Sequence, residues 1–481
     1  MALNPTKENP IIVGLDIGTT KIACIVSQRD QFGKLKILAL GKAPSFGVTR
    51  GEVTNIKHTT DAILEAVADA ERQCGHKINV VYVGIAGQHI ASKQNRGIYT
   101  LGTADEEITR QHIKDMVEDM HRLALDPGEK IIHVLPQEFT VDNMHGIKDP
   151  IGMCGSRLEA NFHIITGKVA AAQNIKKCVE RSNLQMLGLI LEPLASSASV
   201  LHEEEMEAGV VLVDIGGGTT DVAIFKDGII RHTAVIPFAG NIITEDIMEG
   251  CKMLRNQAEK LKVAFGSALP SETHENEIIS IQGIAGRDRK EISMRTLASI
   301  INARIEEIFA QVYFEIKSSG YANSLNAGIV ITGGGSQLKH LKQLVEYTTG
   351  LSTRVGYPTS LLANTNKEEL RHPMYATGLG LVLEGFRQYN DLEEADKRKF
   401  YPELFAPLEP VVANVVTETA TVNTDTIVHE IVMEEEEEVE VPVAKTDTAV
   451  NKKTKPNFLK EMSTMFSDWF KDERVNGDFE G

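Results

Sequence analysis

The 481-residue sequence has one tryptophan, Trp469, only five cysteines, 5% aromatic residues and no run of about 18 uninterrupted apolar residues. The cysteines (Cys24, Cys74, Cys154, Cys178, Cys251) are odd in number and far apart. They form no C-x-x-C pair, which argues against a disulfide framework or a zinc site and predicts reduced, cytosolic thiols. The opening residues Met1 to Pro10 contain no apolar core of a signal peptide. Together with the lack of a long apolar run, this predicts a protein that is neither secreted nor membrane-spanning. Basic charge is also scarce: Lys+Arg 50 against Asp+Glu 67 gives −17, and no basic footprint for nucleic acid is expected. Residues 391–481 hold 22 acids and 10 bases and so carry −12 of that charge, leaving a near-neutral body. The composition, 42% hydrophobic and 24% charged, is globular, and the length calls for two or more domains.

What is present is a repeat. Ile12-Val13-Gly14-Leu15-Asp16-Ile17-Gly18-Thr19-Thr20-Lys21-Ile22-Ala23 parallels Val211-Leu212-Val213-Asp214-Ile215-Gly216-Gly217-Gly218-Thr219-Thr220-Asp221-Val222-Ala223. Each has an apolar, β-branched run ending in Asp, a Gly/Thr turn and a second apolar run, which predicts a β-hairpin with a polar tip. The two aspartates lie 198 positions apart, a spacing suited to two related domains and too long for a solenoid. Glycines let backbone N–H groups close on an anion, and threonine hydroxyls add donors. The aspartate would repel a phosphate unless a cation stood between them, and Mg²⁺ takes carboxylate, water and phosphate oxygens together. A single copy is also the composition of an ordinary turn; two copies suggest phosphates gripped from both sides.

A third glycine cluster, Gly333-Gly334-Gly335-Ser336, follows the apolar strand Ala327 to Thr332 and precedes Gln337 to Val345, which reads as an amphipathic helix. Gly-rich loops that end a strand and open a helix are ligand sites in α/β sheets, and are also plain tight turns. It is neither a Walker loop nor a dinucleotide fingerprint. Small residues recur in Glu192-Pro193-Leu194-Ala195-Ser196-Ser197-Ala198 and in Tyr375-Ala376-Thr377-Gly378-Leu379-Gly380-Leu381, both expected on helices. They fit either close helix approach between domains or simple core packing.

Two phosphate-type hairpins, a Gly-rich loop and two small-residue helices, in this order, resemble the actin, sugar-kinase and heat-shock-chaperone superfamily of ATPases. Within it the chain resembles the FtsA family of actin-like bacterial division proteins, on Val134-Leu135-Pro136-Gln137-Glu138-Phe139, Gly146 to Met153, Arg231 to Asn241 and Gly328 to Gly335. The resemblance covers about residues 10–388 and resumes at the extreme C-terminus. It implies an α/β, actin-like ATPase fold: two related α/β halves around a nucleotide cleft, with ATP and Mg as cofactors. Asp16, Gly18, Thr19 and Thr20 would form the first phosphate loop with Lys21 beside it, and Asp214, Gly216, Gly217, Gly218 and Thr219 the second. Asp16 and Asp214 would hold Mg through water. Gly333, Gly334, Gly335 and Ser336 would face the adenosine, and Glu259 and Lys262 the ribose or base. Glu192 stands where the superfamily often places the acid that orients the attacking water, for an ATPase that is at most weak.

The same resemblance implies a division of the chain. Residues 10–87 and 166–207, with a return segment at 375–390, would be the first half, and 88–165 an inserted subdomain of FtsA type. Residues 208–245 and 320–374 would be the second half, and 246–319 its small subdomain, the surface for the C-terminal peptide of the tubulin-like division protein FtsZ. Self-association into filaments, contact with later division proteins and a place on the inner face of the cell membrane at the septum are implied with it.

The tail is a separate signal. Residues 407–456 are rich in Thr, Val and Glu, include Glu434 to Glu438 and read as a disordered acidic linker. Its 50 residues would reach roughly 40 Å r.m.s.. Beyond it, Phe458, Leu459, Met462, Met465, Phe466, Trp469 and Phe470 form one helical stripe within 457–472. Such a stripe docks on the body, in a partner groove or at a membrane surface. The FtsA resemblance implies the membrane. Lys460 and Lys471 are balanced by Glu461 and Asp468, so apolar insertion rather than charge would drive contact.

Three other functions fit less well. A sugar or acid kinase of the superfamily needs a catalytic Asp motif that is not found, and a chaperone needs a folded domain that residues 407–456 are too acidic and apolar-poor to supply. The pilus-assembly ATPases are nearer relatives and harder to exclude, and the amphipathic terminus favours the FtsA family over them. Because Trp469 is the only indole, its emission reports on the tail alone. A blue shift on adding lipid vesicles under assembling conditions is expected, and an unshifted spectrum would remove the membrane reading.

Overall fold

The computed structural model describes residues 9–401 apart from 104, 275, 282–288 and 364–366. All of these fall in one compact unit. The acidic linker and the terminal stripe lie outside the described residues.

The two expected hairpins form. Strand Ile12–Ile17 pairs antiparallel with Lys21–Arg29, and Val210–Ile215 with Thr220–Lys226. Their β-branched runs are buried on both faces, as strands covered by helices on both sides must be. Each hairpin continues into a third antiparallel strand, Leu35–Pro44 or Ile229–Ile236. Two parallel strands then join the other side of the first: Val80–Ile85 and Gln185–Leu191 in one sheet, Gly328–Thr332 and Thr353–Val355 in the other. The two five-stranded sheets therefore have the same strand order, so the repeat seen in a dozen residues extends to whole domains. Parallel neighbours need crossovers, which run through helices. In the first half, helix Ile56–Cys74 leads from Glu52–Val53 towards Val80–Ile85; Asn55 caps it by accepting from the His58 amide at 3.0 Å, and Gly75 ends it at φ 72°.

Between Val80–Ile85 and Gln185–Leu191 the chain builds a second, antiparallel sheet in the order Ala91–Thr100, Arg157–Lys168, Glu129–Val141, Met144–Ile147. Helix Arg110–Met120 lies against it, and Met116, Phe139, Val141, Leu158 and Phe162 give it a core of its own. Residues 246–319 are built differently. Leu297, Ile301, Ile305, Ile308, Phe309 and Val312 of helix Met294–Ser318 share one continuous core with Val211, Val213, Ile329 and Ile331 of the second sheet.

The small-residue segments are helices Glu192–Val200 and Ala376–Asp391. They pack directly on each other: a Cβ at Gly380 would overlap the backbone carbonyl of Ala195. The contact is core packing of two helices on the first sheet: Ala195, Leu379, Leu381 and Val382 share one apolar cluster with Ile12, Ala23 and Tyr82. The helix expected from Gln337 begins later. The glycine cluster leads into a 3-10 turn, Gly334–Gln337, and the helix spans Leu341–Thr349. The delay has a cause: the Lys339 carbonyl accepts from the Ala268 amide at 2.8 Å, which holds 338–340 out of the helix. Gly380→Ala should destabilise the protein by about 1–3 kcal/mol through overpacking against backbone, read as a lower denaturation midpoint; an unchanged midpoint would mean the two helices are free to separate.

Candidate functional site

The two tips are the same turn. Gly18 N donates to Lys21 O at 3.1 Å, and Gly216 N to Thr219 O at 2.9 Å, so each tip has four residues. Ile17 pairs with Ile22, and Ile215 with Thr220. Position by position, Gly18-Thr19-Thr20-Lys21 therefore matches Gly216-Gly217-Gly218-Thr219, and the Thr-Thr pairs, which look equivalent in the sequence, are offset by two. The tips meet across the cleft: Cβ atoms at Gly217 and Gly218 would overlap the side chains of Thr20 and Thr19. The second tip is also tied to the following helix, Gly240–Cys251, by Gly240 N to Gly216 O at 3.1 Å and Asn241 N to Gly217 O at 2.7 Å.

The offset has an electrostatic consequence. Ala23 lies opposite Asp16, but Asp221 lies opposite Asp214, so the second hairpin carries an extra carboxylate at its base. Asp16, Asp214 and Asp221 share one cleft with Glu192, which opens helix Glu192–Val200, and Glu259 also lines it. Burial pushes the Asp16 carboxyl up to about 6, Lys21 opposing and Asp214 adding to the shift. Asp221 is pushed up to about 8, by burial and then by Asp214. Glu192 is raised well above its usual range by burial and then by Asp16, Asp221 and Asp214. Asp214 is raised by burial, against hydrogen bonds from the two connecting helices. Ser196 Oγ donates to its Oδ2 at 2.5 Å and Thr377 Oγ1 at 3.1 Å. Lys21 Nζ donates to Met374 O at 2.7 Å and lies 3.6 Å from the centre of the Tyr375 ring. Burial lowers its ammonium to about 8, with Asp16 opposing.

The cleft encloses about 470 Å³. Its lining also includes Gly333, Gly334, Gly335, Leu338, Ile243 and Val263. Gly333 is at φ 81°, and a Cβ there would overlap Asp214 Oδ1, so only glycine fits. Glu259, Lys262 and Val263 share one face of helix Arg255–Phe265. Lys262 Nζ is 2.8 Å from Glu259 Oε2 and donates to Gly240 O and Thr244 Oγ1, each at 2.8 Å. Burial lowers the Lys262 ammonium, with Glu259 opposing.

Every expected residue of the body therefore lines this cleft except Ser336. That side chain is buried, and its hydroxyl donates to Gly333 O at 2.7 Å, bracing the glycine turn from behind. Sequence reasoning missed Asp221, Gly240 and Asn241. Asp221 stands in the repeated segment but is hidden by the offset of the Thr-Thr pairs, and nothing local marks the other two as cleft residues. Phe458, Leu459, Met462, Met465, Phe466, Trp469 and Phe470 lie outside the described residues. Chemically, paired glycine turns offer N–H groups to a phosphate chain, and the carboxyls suit a hydrated divalent cation. No three His, Cys, Asp or Glu side chains among the described residues converge on one ion, so direct protein ligation by a cage is not built in.

Residues 211–380 match the family model described as cell division protein FtsA, and residues 87–166 that of the SHS2 domain inserted in FtsA. The chain is 40% identical over 381 residues to cell division protein FtsA of Pseudomonas aeruginosa, covering 79% of this chain and 90% of the relative. It is 34% identical over 399 residues to that of Escherichia coli K12, covering 81% and 94%. Of solved structures, the PilM-PilN type IV pilus biogenesis complex aligns with TM-score 0.58 at 16% identity over 78% of this chain and 98% of the other. At that identity the likeness is one of fold, and the fold is actin-like.

The raised carboxyls predict a pH slope. A carboxyl whose folded pKa exceeds its unfolded value stabilises the protein at low pH, and the contribution is lost as pH rises through the folded value. For Asp221 that loss runs from about 4 to about 8. The buried His133 and His163, both lowered to about 4, add the opposite slope only below their unfolded pKa of about 6.5. Between pH 6.5 and 8 the ligand-free protein should lose stability, and Asp221→Asn should flatten that slope in denaturant titrations; an unaltered slope would show that Asp221 is ionised throughout.

Proposed function

This chain belongs to the FtsA family of cell division proteins, and we propose that it binds Mg-ATP between its two hairpin tips and uses it to control assembly of a membrane-tethered division adaptor. The observation that carries the nucleotide reading is the pair of equal glycine turns facing each other above buried carboxyls. Gly18, Thr19, Thr20 and Lys21 on one side and Gly216, Gly217, Gly218 and Thr219 on the other hold the phosphates. Asp16 and Asp214 hold Mg through water. The donor set fits, because Asp221 Oδ1 is a buried oxygen without a hydrogen-bond partner and the carboxyls stay raised although Lys21 opposes the shift at Asp16 and Asp214. A cation supplies compensating charge and lets the carboxyls ionise. Glu259 and Lys262 lie towards the ribose or base, beside Gly333, Gly334 and Gly335. Glu192 is the candidate for orienting a water. Burial, and after it Asp16, Asp221 and Asp214, raise its carboxyl well above the usual range, and a cation nearby would oppose that shift.

The adaptor role joins this cleft to three other parts of the chain. The surface of residues 246–319 receives the C-terminal peptide of FtsZ. Residues 407–456 act as a tether, and the stripe in 457–472 enters the inner face of the cell membrane at the septum, where later division proteins also gather. Among the described residues no helix is long and apolar enough to cross a membrane. One short amphipathic anchor binds weakly, whereas many on one filament bind with avidity. ATP-promoted self-association thus turns a weak contact into a firm one.

By calorimetry, Asp214→Ala should weaken Mg-ATP binding about tenfold or more, since charge-assisted contacts are worth about 1.5–3 kcal/mol. Glu192→Gln should leave affinity near wild type and lower turnover. An Asp214→Ala protein with full affinity would reject the clamp.

A further inference from the structure

Two of the segments that carried the family resemblance take no part in the cleft, Val134 to Phe139 and the first half of Arg231 to Asn241. They meet each other. Gln137 Nε2 donates to Ile230 O at 2.7 Å, and Arg231 Nη2 donates to Glu138 Oε1 at 2.6 Å. Two further contacts extend the seam. Ser92 Oγ donates to Thr233 O at 3.4 Å, and His163 Nε2 lies 3.1 Å from Thr233 Oγ1. All four residues on one side belong to the inserted sheet, and all on the other belong to strand Ile229–Ile236, the edge of the second half. The seam thus covers carbonyls that an open sheet edge would leave unpaired.

Arg231 is its centre. The side chain is 8% exposed and also pairs with Asp227 at 3.2 Å, donates to Lys226 O and faces the Tyr321 ring. The chain that follows this strand runs into the cleft. Thr220 Oγ1 donates to Phe238 O at 2.7 Å, and Gly240 and Asn241 bond the carbonyls of Gly216 and Gly217. One strand, with the short linker and helix start that follow it, therefore connects the inserted subdomain to the second tip.

We propose that this strand couples occupancy of the cleft to the attachment of the inserted subdomain, with Arg231, Glu138 and Gln137 as its latch. Movement of the second tip on binding phosphate shifts Phe238 to Asn241, and through them the edge carbonyls and Arg231 that the subdomain grips. Arg231 is a positioning residue and touches no ligand. By linkage, loosening the latch changes nucleotide affinity as much as nucleotide changes the latch. The proposal rests on the nucleotide reading of the cleft.

The test uses the full chain and amide hydrogen exchange of residues 129–141 and 229–236, with and without Mg-ATP, beside calorimetry. Without nucleotide, Glu138→Arg and Arg231→Glu should each speed exchange at the seam about tenfold, and the double exchange of charge should recover most of it. Glu138→Gln, at a partly exposed position, guards against loss of the fold. In wild type, Mg-ATP should alter exchange in 129–141. In Glu138→Gln that response should shrink, and affinity should shift on the order of fivefold, the lower end of typical couplings. Measured ATP binding with no response at 129–141, or a response undiminished in Glu138→Gln, overturns the coupling alone. Absence of ATP binding to wild type overturns the nucleotide reading and the coupling with it.

Discussion

Asp16, Glu192, Asp214 and Asp221 crowd into one cleft, and Lys21 is the lysine whose charge acts on Asp16 and Asp214. Burying acids without compensating charge is costly, and a protein meets that cost by protonation, by hydrogen bonds or by a bound cation. Much of the body is arranged around this constraint. Asp214 receives hydroxyls from both connecting helices. Glycine is required at Gly333 because the Asp214 carboxyl occupies the space of a side chain. The cation most available, Lys21, is turned towards Met374 and Tyr375 and is itself lowered by burial. Acids thus outnumber bases among the residues that line the cleft.

The same carboxylate links chemistry to mechanics. Ser196 lies in helix Glu192–Val200 and Thr377 in helix Ala376–Asp391, and their hydroxyls are 3.0 Å apart as both reach Asp214. These helices touch backbone to backbone at Gly380 and Ala195, so little slack exists between them. Asp214 is therefore hydrogen-bonded to both members of the pair. The second tip also bears on strand Ile229–Ile236 and, through its outer edge, on the inserted sheet. Two chains of contact thus lead from the cleft to larger surfaces, and they begin at neighbouring residues.

The duplication shows how two similar segments come to do different work. The hairpins share turn length, register and sheet order, yet one places Lys21 at its last tip position and the other Thr219. One places Ala23 opposite its aspartate, and the other Asp221. Equal backbones therefore present unequal charge, a cation on one side and an extra acid on the other. An aligned pair of Thr-Thr motifs conceals this, because register in a hairpin is set by the hydrogen bonds of the turn and not by residue identity.

Much of the site was legible in the sequence because its determinants are local. Asp-x-Gly-x-Thr turns, β-branched runs and small-residue helices each encode their own conformation, and their order along the chain carried the family resemblance and with it the actin-like fold. Ser336 was misjudged as facing the ligand, since which side of a glycine turn a side chain takes depends on what packs behind it. The start of the helix after that turn was misjudged because Ala268, some seventy residues earlier, claims the carbonyl of Lys339. Asp221, Gly240, Asn241 and the seam between Glu138 and Arg231 became visible only in three dimensions. Hydrogen-bond register and long-range pairing bring distant residues together without leaving a local pattern. The sequence by itself determined the elements and the chemistry of the two tips; the tertiary structure decided which side chains meet, because burial and charge act across space and not along the chain.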